Sequence, residues 1–141
     1  MDLNECKRKG YIRKTKANTS LIKSLIEISN LKEKTVKSVN IDEENVSAFL
    51  PMAYDSVRGL LEAFCVLYEF KVTSHVCLGE LMNELMDDFD YNDFDRFRYI
   101  RNSINYYGEK IGFEEGNEII KKIFDMKVKI LEKIKFKMNG D

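Results

Sequence analysis

The chain has 141 residues, enough for one compact domain. Hydrophobic residues make up 44% and charged residues 33%, a balance typical of folded soluble proteins rather than disordered ones. The 23 Lys and Arg nearly cancel the 24 Asp and Glu, so net charge gives no argument for a nucleic-acid or membrane binder. The longest apolar run is six residues and the N-terminus lacks the apolar core of a signal peptide. We therefore expect neither a membrane-spanning nor a secreted protein.

Cysteine usage gives an expectation about the compartment. The three cysteines, Cys6, Cys65 and Cys77, are an odd number and form no Cys-x-x-Cys pair. This pattern predicts free thiols in a reducing compartment rather than a disulfide framework or a zinc ribbon. We therefore expect a cytoplasmic protein.

The first predicted elements are an arm and a helix. One proline and seven glycines leave the sequence poorly punctuated, which favours a few long helices over many short strands. Residues 1–16 are predicted to be a basic N-terminal arm, because six basic and no acidic residues lie between positions 7 and 16. A first helix is predicted over about residues 17–39. Its buried stripe is expected to contain apolar residues three and four apart: Leu21, Leu25, Ile28 and Leu31.

The second helix is predicted over about residues 44–71. Apolar side chains cover a wide face of it, as expected for a central helix. Gly59 lies inside this helix at a cost in helix propensity, so we expect a close helix–helix contact there. A third, short helix follows, with Thr73 or Ser74 as its N-cap.

The fourth helix is predicted over residues 94–107, with Asn92 or Asp93 as its cap and Gly108 as its C-terminal stop. A fifth helix begins near Glu114, where acidic groups complement the helix dipole. No segment alternates apolar and polar residues over the length of a strand. The sequence therefore predicts an all-α bundle that follows the arm as a single domain, residues 17–138.

Candidate metal sites are few. His75 is the single histidine, and with Cys77 it supplies only two ligands, so we expect no metal site and favour a structural or capping role for His75. Residues 80–95 hold seven carboxylates and no basic residue. They could hold Mg²⁺ or Ca²⁺, but the stretch lacks the glycine-centred loop of an EF-hand, and a solvated acidic surface is the favoured interpretation. We expect no cofactor.

One segment carries side chains suited to a nucleotide or RNA. The end of the fourth helix concentrates arginine, asparagine and tyrosine: Arg101, Asn102, Asn105, Tyr106 and Tyr107. Arginine can clamp a phosphate through two N–H groups, asparagine can bind a base or ribose edge, and tyrosine can stack on a base. The alternative is a buried helix whose arginines pair with carboxylates of a neighbouring helix. The pattern alone favours neither interpretation.

A polar stripe on the second helix is a further candidate. Asp55, Arg58 and Glu62 lie three and four residues apart, so they share one face. They could face the same cleft as Arg101, although an intrahelical row of ion pairs is the favoured interpretation. Five helical steps place Tyr106 about 140° around the axis from Arg101, so the two residues share a target only at a helix end or across the two-fold axis of a dimer.

The segment from Arg101 through Asn102 and Tyr106-Tyr107 to Gly108 resembles the signature of the HEPN superfamily: an arginine, a polar residue, a gap of four to six residues and a histidine. The stretch that begins Tyr54-Asp-Ser-Val-Arg, and the one from Tyr68 to His75 and beyond, are similar to the family's second helix and the turn and helix after it. The resemblance covers about residues 17–135. It implies an up-and-down bundle of four or five helices, usually dimeric.

In active members of that family, the arginine and histidine form a metal-independent ribonuclease, typically the toxin of a toxin–antitoxin pair whose antitoxin is often a minimal nucleotidyltransferase. Other members bind RNA, nucleotides or partner proteins without catalysis. Arg101 matches the family arginine and Asn102 its polar follower, whereas Tyr106 stands where the commonest spacing places the histidine. Some relatives carry, two residues further on, a tyrosine that the partner modifies with AMP, and Gly108 stands there. Tyrosine titrates near pH 10 and is a poor general base at neutrality.

These observations lead to one preferred function and two alternatives. We expect a cytoplasmic, dimeric, catalytically degenerate HEPN-like domain that binds RNA or a nucleotide through Arg101, Asn102, Asn105 and Tyr106. A nucleotidyltransferase-type antitoxin is the expected partner, and neither a membrane nor DNA is expected. The first alternative is an active metal-independent endoribonuclease toxin, in which Arg101 stabilises the charge on phosphorus and Tyr106 or water handles the proton. The second is a purely structural helical interaction module.

Overall fold

A computed structural model describes residues 1–140. These residues form six helices and two short strands: α1 (Leu3–Arg8), β1 (Ile12–Lys14), α2 (Thr19–Lys37), α3 (Val46–Leu67), β2 (Phe70–Val72), α4 (His75–Leu85), α5 (Tyr91–Tyr107) and α6 (Phe113–Met138). The predicted all-α bundle is confirmed. The two antiparallel strands were not predicted, because three residues are too few to show an alternating pattern.

Helix ends follow local signals for the most part. The Ser74 side chain accepts a hydrogen bond from the backbone N–H of Cys77, so Ser74, one of the two predicted caps, begins the third predicted helix, the short α4. Gly108 has φ +65° and ends α5 in the left-handed conformation that glycine adopts at lowest cost. The predicted cap of α5 is wrong, because Asp90 accepts from the Asp93 N–H at 3.1 Å and starts the helix earlier.

The core is built around α3, which contacts α2, α4, α5 and α6. Its buried side chains occupy most of its circumference, so a helix with a wide apolar face became the central one, as predicted. Pro51 lies in the second turn of α3, near the helix start, where it removes few hydrogen bonds. No helix among the described residues is long and apolar enough to cross a membrane.

The predicted buried stripe of α2 is wrong for three of its four residues, and only Leu25 packs against the core. Leu21, Ile28 and Leu31 are 44%, 50% and 52% exposed. The buried side chains of α2 lie seven residues apart: Ile22, Ser29 and Val36. The Ser29 hydroxyl donates to the carbonyl of Ser56 at 2.6 Å, which holds a polar residue of α2 against α3. A hydroxyl with a backbone acceptor can be buried at little cost, and so the helix turns this face inward.

The N-terminal segment is joined to the bundle. Residues 1–16, predicted to be an arm, contain α1 and β1, and Ile12 of β1 pairs with Val72 of β2. Cys6 forms a disulfide with Cys77 near the start of α4, with the two Cα atoms 5.7 Å apart. The prediction of three free thiols is therefore wrong for this pair, and Cys65 is a buried free thiol. The argument from free thiols to a reducing compartment does not hold for Cys6 and Cys77.

The close contact expected at Gly59 is absent. A Cβ built on Gly59 meets no heavy atom within 4 Å in residues 1–140. Close helix contacts lie at two other glycines: an added Cβ would be 2.5 Å from Cγ2 of Val46 at Gly116 and 3.3 Å from Cδ2 of Phe94 at Gly79. The propensity cost at Gly59 therefore has no packing explanation.

Candidate functional site

Three helices bring a tyrosine, a histidine and an arginine together. Tyr54, in the middle of α3, is fully buried, and its hydroxyl lies 3.2 Å from Nδ1 of His75, the first residue of α4. The Arg101 guanidinium of α5 lies over the Tyr54 ring, with its carbon 5.7 Å from the ring centroid. The fold thus places the single histidine of the chain beside the residues at the end of the fourth predicted helix.

Arg101 lies between two tyrosine rings. Its guanidinium carbon is 5.4 Å from the centroid of Tyr106, and Nη1 donates to the Tyr106 hydroxyl and to Oδ1 of Asn102, each at 3.1 Å. The two residues, five apart on α5, meet because Tyr106 lies in the last turn of the helix and both side chains are long. Arg101 and Tyr106 therefore contact each other within one chain, without a second copy of the protein.

The charge of Arg101 is not neutralised within residues 1–140. No carboxylate oxygen of the described chain lies within 4 Å of its nitrogens, and Nε is buried without a hydrogen-bond partner. The other arginines of α5 are paired: Arg96 with Glu115 at 3.0 Å, and Arg98 with Asp95 at 2.8 Å. A buried N–H without an acceptor costs free energy, which an anion at this position would recover.

The polar stripe of α3 forms the row of ion pairs that was the favoured interpretation. Arg58 contacts Glu62 through Nη1, and its Nε lies 3.6 Å from Oδ1 of Asp55. Like that of Arg101, the Arg58 Nε is buried and donates no hydrogen bond within the described residues. Asp55 and Glu62 pair with Arg58, but the positive charge of Arg58 still lowers the pKa of both Tyr54 and His75.

Burial and the neighbouring arginines set the protonation of the pair. Burial, followed by the positive charges of Arg58 and Arg101, lowers the pKa of His75 to about 4. Burial raises the pKa of Tyr54 well above its usual value, and Arg101 only partly opposes this shift. At neutral pH the imidazole is therefore uncharged and the phenol holds its proton.

The remaining predicted residues lie on the surface beside Arg101. Asn105 and Tyr107 are exposed, and no hydrogen bond links either one to Arg101 in the described structure. An open groove beside the arginine combines aromatic and polar side chains: Tyr99, Asn102, Ser103, Tyr106, Tyr107 and Glu109. The sequence interpretation missed Tyr99 and the role of Tyr54. A tyrosine within the apolar face of α3 is the signal for Tyr54, because a buried hydroxyl needs a hydrogen-bond partner.

The carboxylates of residues 80–95 are partly engaged in structural contacts. Asp90 caps α5, Asp88 pairs with Lys133 at 3.1 Å, and Asp95 pairs with Arg98. Across residues 1–140, no three His, Cys, Asp or Glu side chains are grouped so that they could hold a metal ion.

Comparison of the chain with protein-family models, with curated proteins and with solved structures finds no match. These comparisons assign no function to the site, so we infer its chemistry from the contacts described above.

Proposed function

We propose that the protein binds RNA or a nucleotide, with a phosphate group at Arg101. The observation that carries the proposal is a half-buried guanidinium with a buried, unpartnered Nε and no carboxylate within 4 Å in residues 1–140. Structural arginines of the same helix, by comparison, have acidic partners. A guanidinium presents parallel N–H groups that match two phosphate oxygens.

The tyrosines and asparagines beside Arg101 supply contacts for the bases and ribose of the ligand, in addition to its phosphate. Tyr106 and Tyr107 are 67% and 78% exposed, so their rings are free to stack on bases. Asn102 and Asn105 supply amide groups for base or ribose edges. Tyr106, in the last turn of α5, contacts Arg101 through the hydrogen bond from Nη1 and through its ring, so an anion bound at Arg101 would replace that hydrogen bond.

The resemblance to the HEPN superfamily supports the same function. It adds to the proposal a homodimer and a nucleotidyltransferase-type partner in a cytoplasmic toxin–antitoxin-like system. Arg58 is held between Asp55 and Glu62, so we assign it to this ion-pair row rather than to direct contact with the ligand.

A second candidate is a metal-independent endoribonuclease, which the position of His75 favours. With its proton on Nδ1 and donated to the Tyr54 oxygen, the neutral ring has a free lone pair on Nε2. That nitrogen would accept the 2′-hydroxyl proton while the 2′-oxygen attacks phosphorus and the 5′-oxygen leaves with a proton from water. Arg101 would stabilise the charge that develops on the phosphoryl oxygens. Tyr106 is then not needed as the base.

The deciding experiment compares two arginines of one helix. Fluorescence polarisation measures binding of a labelled single-stranded RNA to the parent, Arg101→Ala, Arg101→Lys and Arg96→Ala proteins. We expect Arg101→Ala to weaken binding about 10-fold or more, the loss of one charge-assisted phosphate contact, and Arg96→Ala to change it by less than about 3-fold. Equal losses for both variants would mean diffuse electrostatic attraction. If the parent bound neither this RNA nor a labelled nucleotide, the helical interaction module would be left.

The same proteins and a His75→Ala variant, incubated with mixed cellular RNA in EDTA, separate binding from catalysis. Intact RNA with the parent supports a binding domain. Cleavage that is lost in both Arg101→Ala and His75→Ala, while Arg96→Ala still cleaves, supports the second candidate.

A further inference from the structure

The outer face of α2 carries an unusual share of exposed aliphatic surface. Of the four exposed Leu, Ile and Val side chains among residues 1–140, three lie on this helix: Leu21, Ile28 and Leu31. Leu25, on the inner edge of this stripe, is half-buried and already packs against the core. Intervals of three, four and seven residues place these side chains along one side of a helix about 28 Å long. Aliphatic side chains at such intervals are the pattern by which one helix packs on another.

Two opposite charges flank this stripe on one edge. Glu27 and Lys34 are seven residues apart, so nearly two full turns bring them to the same edge of α2. Both are exposed, and neither has an ion-pair partner within residues 1–140. Glu33, by contrast, is engaged by Lys37 at 2.6 Å and by Lys127 at 2.7 Å. Lys23, one turn before Glu27, is exposed on the same edge and has no ion-pair partner in the described residues, so the edge presents one unpaired negative and two unpaired positive groups.

We propose that two copies of this chain associate through α2, packed antiparallel about a two-fold axis near Asn30. In that arrangement Ile28 of each copy packs against Leu31 of the other. Glu27 of each copy faces Lys34 of the other, so one two-fold contact forms two ion pairs. A surface that complements itself in this way fits a second copy of the same chain, because isologous interfaces use one patch twice.

Sedimentation velocity tests the interface with substitutions on exposed positions. We expect the parent to be a dimer and Ile28→Lys to raise the dimer dissociation constant by at least about 30-fold, the effect of losing a central interface residue. The control is Phe136→Lys, which removes an exposed apolar side chain of α6 and should leave the dimer intact. Circular dichroism of each variant checks that its helices persist.

Charge reversal tests the antiparallel register itself. Glu27→Lys and Lys34→Glu should each weaken the dimer about 10-fold, because each places like charges opposite one another twice. An equimolar mixture of the two single variants should form a heterodimer of parental affinity, since every contact is then attractive. A monomeric parent, a dimer unaffected by Ile28→Lys, or a mixture no tighter than the single variants would overturn the proposal. RNA binding by the monomeric Ile28→Lys variant is measured in a separate experiment. The α2 interface and the Arg101 site use different residues, so failure of one proposal does not imply failure of the other.

Discussion

The hydroxyl of Tyr54 lies 3.2 Å from Nδ1 of His75, which joins the middle of α3 to the first residue of α4. The guanidinium carbon of Arg101, on α5, lies 5.7 Å from the centroid of the Tyr54 ring. Because Tyr54 is fully buried, the hydrogen bond fixes the orientation of the half-buried imidazole. The pKa of His75 therefore reports the burial of the imidazole and the positive charges near it.

We expect a ¹H–¹³C NMR titration to give His75 a pKa of about 4, below its ordinary 6.5. The causes are burial first and then the charges of Arg58 and Arg101, so Arg101→Gln should raise this pKa towards the ordinary value. The unfolded chain binds the proton more readily between pH 6.5 and 4, so His75 makes the protein less stable as pH falls through that window. A pKa at or above 6.5 would contradict the buried, arginine-flanked position.

Cleavage of the Cys6–Cys77 disulfide should lower the free energy of unfolding by about 4 kcal/mol, since the bond closes a long loop. The two cysteines are 71 positions apart in the sequence. Urea denaturation of oxidised and dithiothreitol-treated protein measures the difference. Cys6→Ser should match the reduced parent, and its stability should not respond to dithiothreitol. An oxidised parent that is no more stable than Cys6→Ser would contradict the bond.

Removal of the Glu33 carboxylate should destabilise the fold strongly. The Lys127 ammonium group is almost fully buried and donates to Glu33 at 2.7 Å and to the Ser29 carbonyl at 3.0 Å. Glu33→Ala leaves a buried cation without its counter-charge, which costs about 3 kcal/mol. Chemical denaturation measures this cost, with Glu132→Ala as an exposed-carboxylate control that should change stability by less than about 0.5 kcal/mol. Similar effects of the two variants would show that the pair is not buried.

Two glycine substitutions in helix interiors should have opposite effects. Gly116→Ala forces a Cβ against Val46 and should destabilise the protein, by about 1–3 kcal/mol for an overpacked contact. Gly59→Ala meets open space and should stabilise it by about 1 kcal/mol through helix propensity. Thermal unfolding followed by circular dichroism compares them, and a lower melting temperature for Gly59→Ala would reveal a contact that the fold does not show.

Local features were predictable to the extent that they depend on neighbouring residues. The five long helices, the Ser74 cap and the Gly108 stop follow from hydrogen bonds and φ angles within a few positions. The Asp55–Arg58–Glu62 row follows in the same way from helical spacing. Arg101 and Asn102 could be chosen as candidates because both lie at one helix end.

Only the tertiary structure decided which groups meet across the chain. Tyr54, His75 and Arg101 come from three different helices. Cys6 forms a disulfide with Cys77, which lies 71 positions away in the sequence. On α2, apolar spacing indicated a buried face of four residues, Leu21, Leu25, Ile28 and Leu31. Packing against α3 buries the face with Ser29 instead, and of those four only Leu25 contacts the core. Periodicity records how side chains are spaced along one helix. The rotation of that helix is fixed by the sum of contacts with its neighbours, and that sum exists only once the chain has folded.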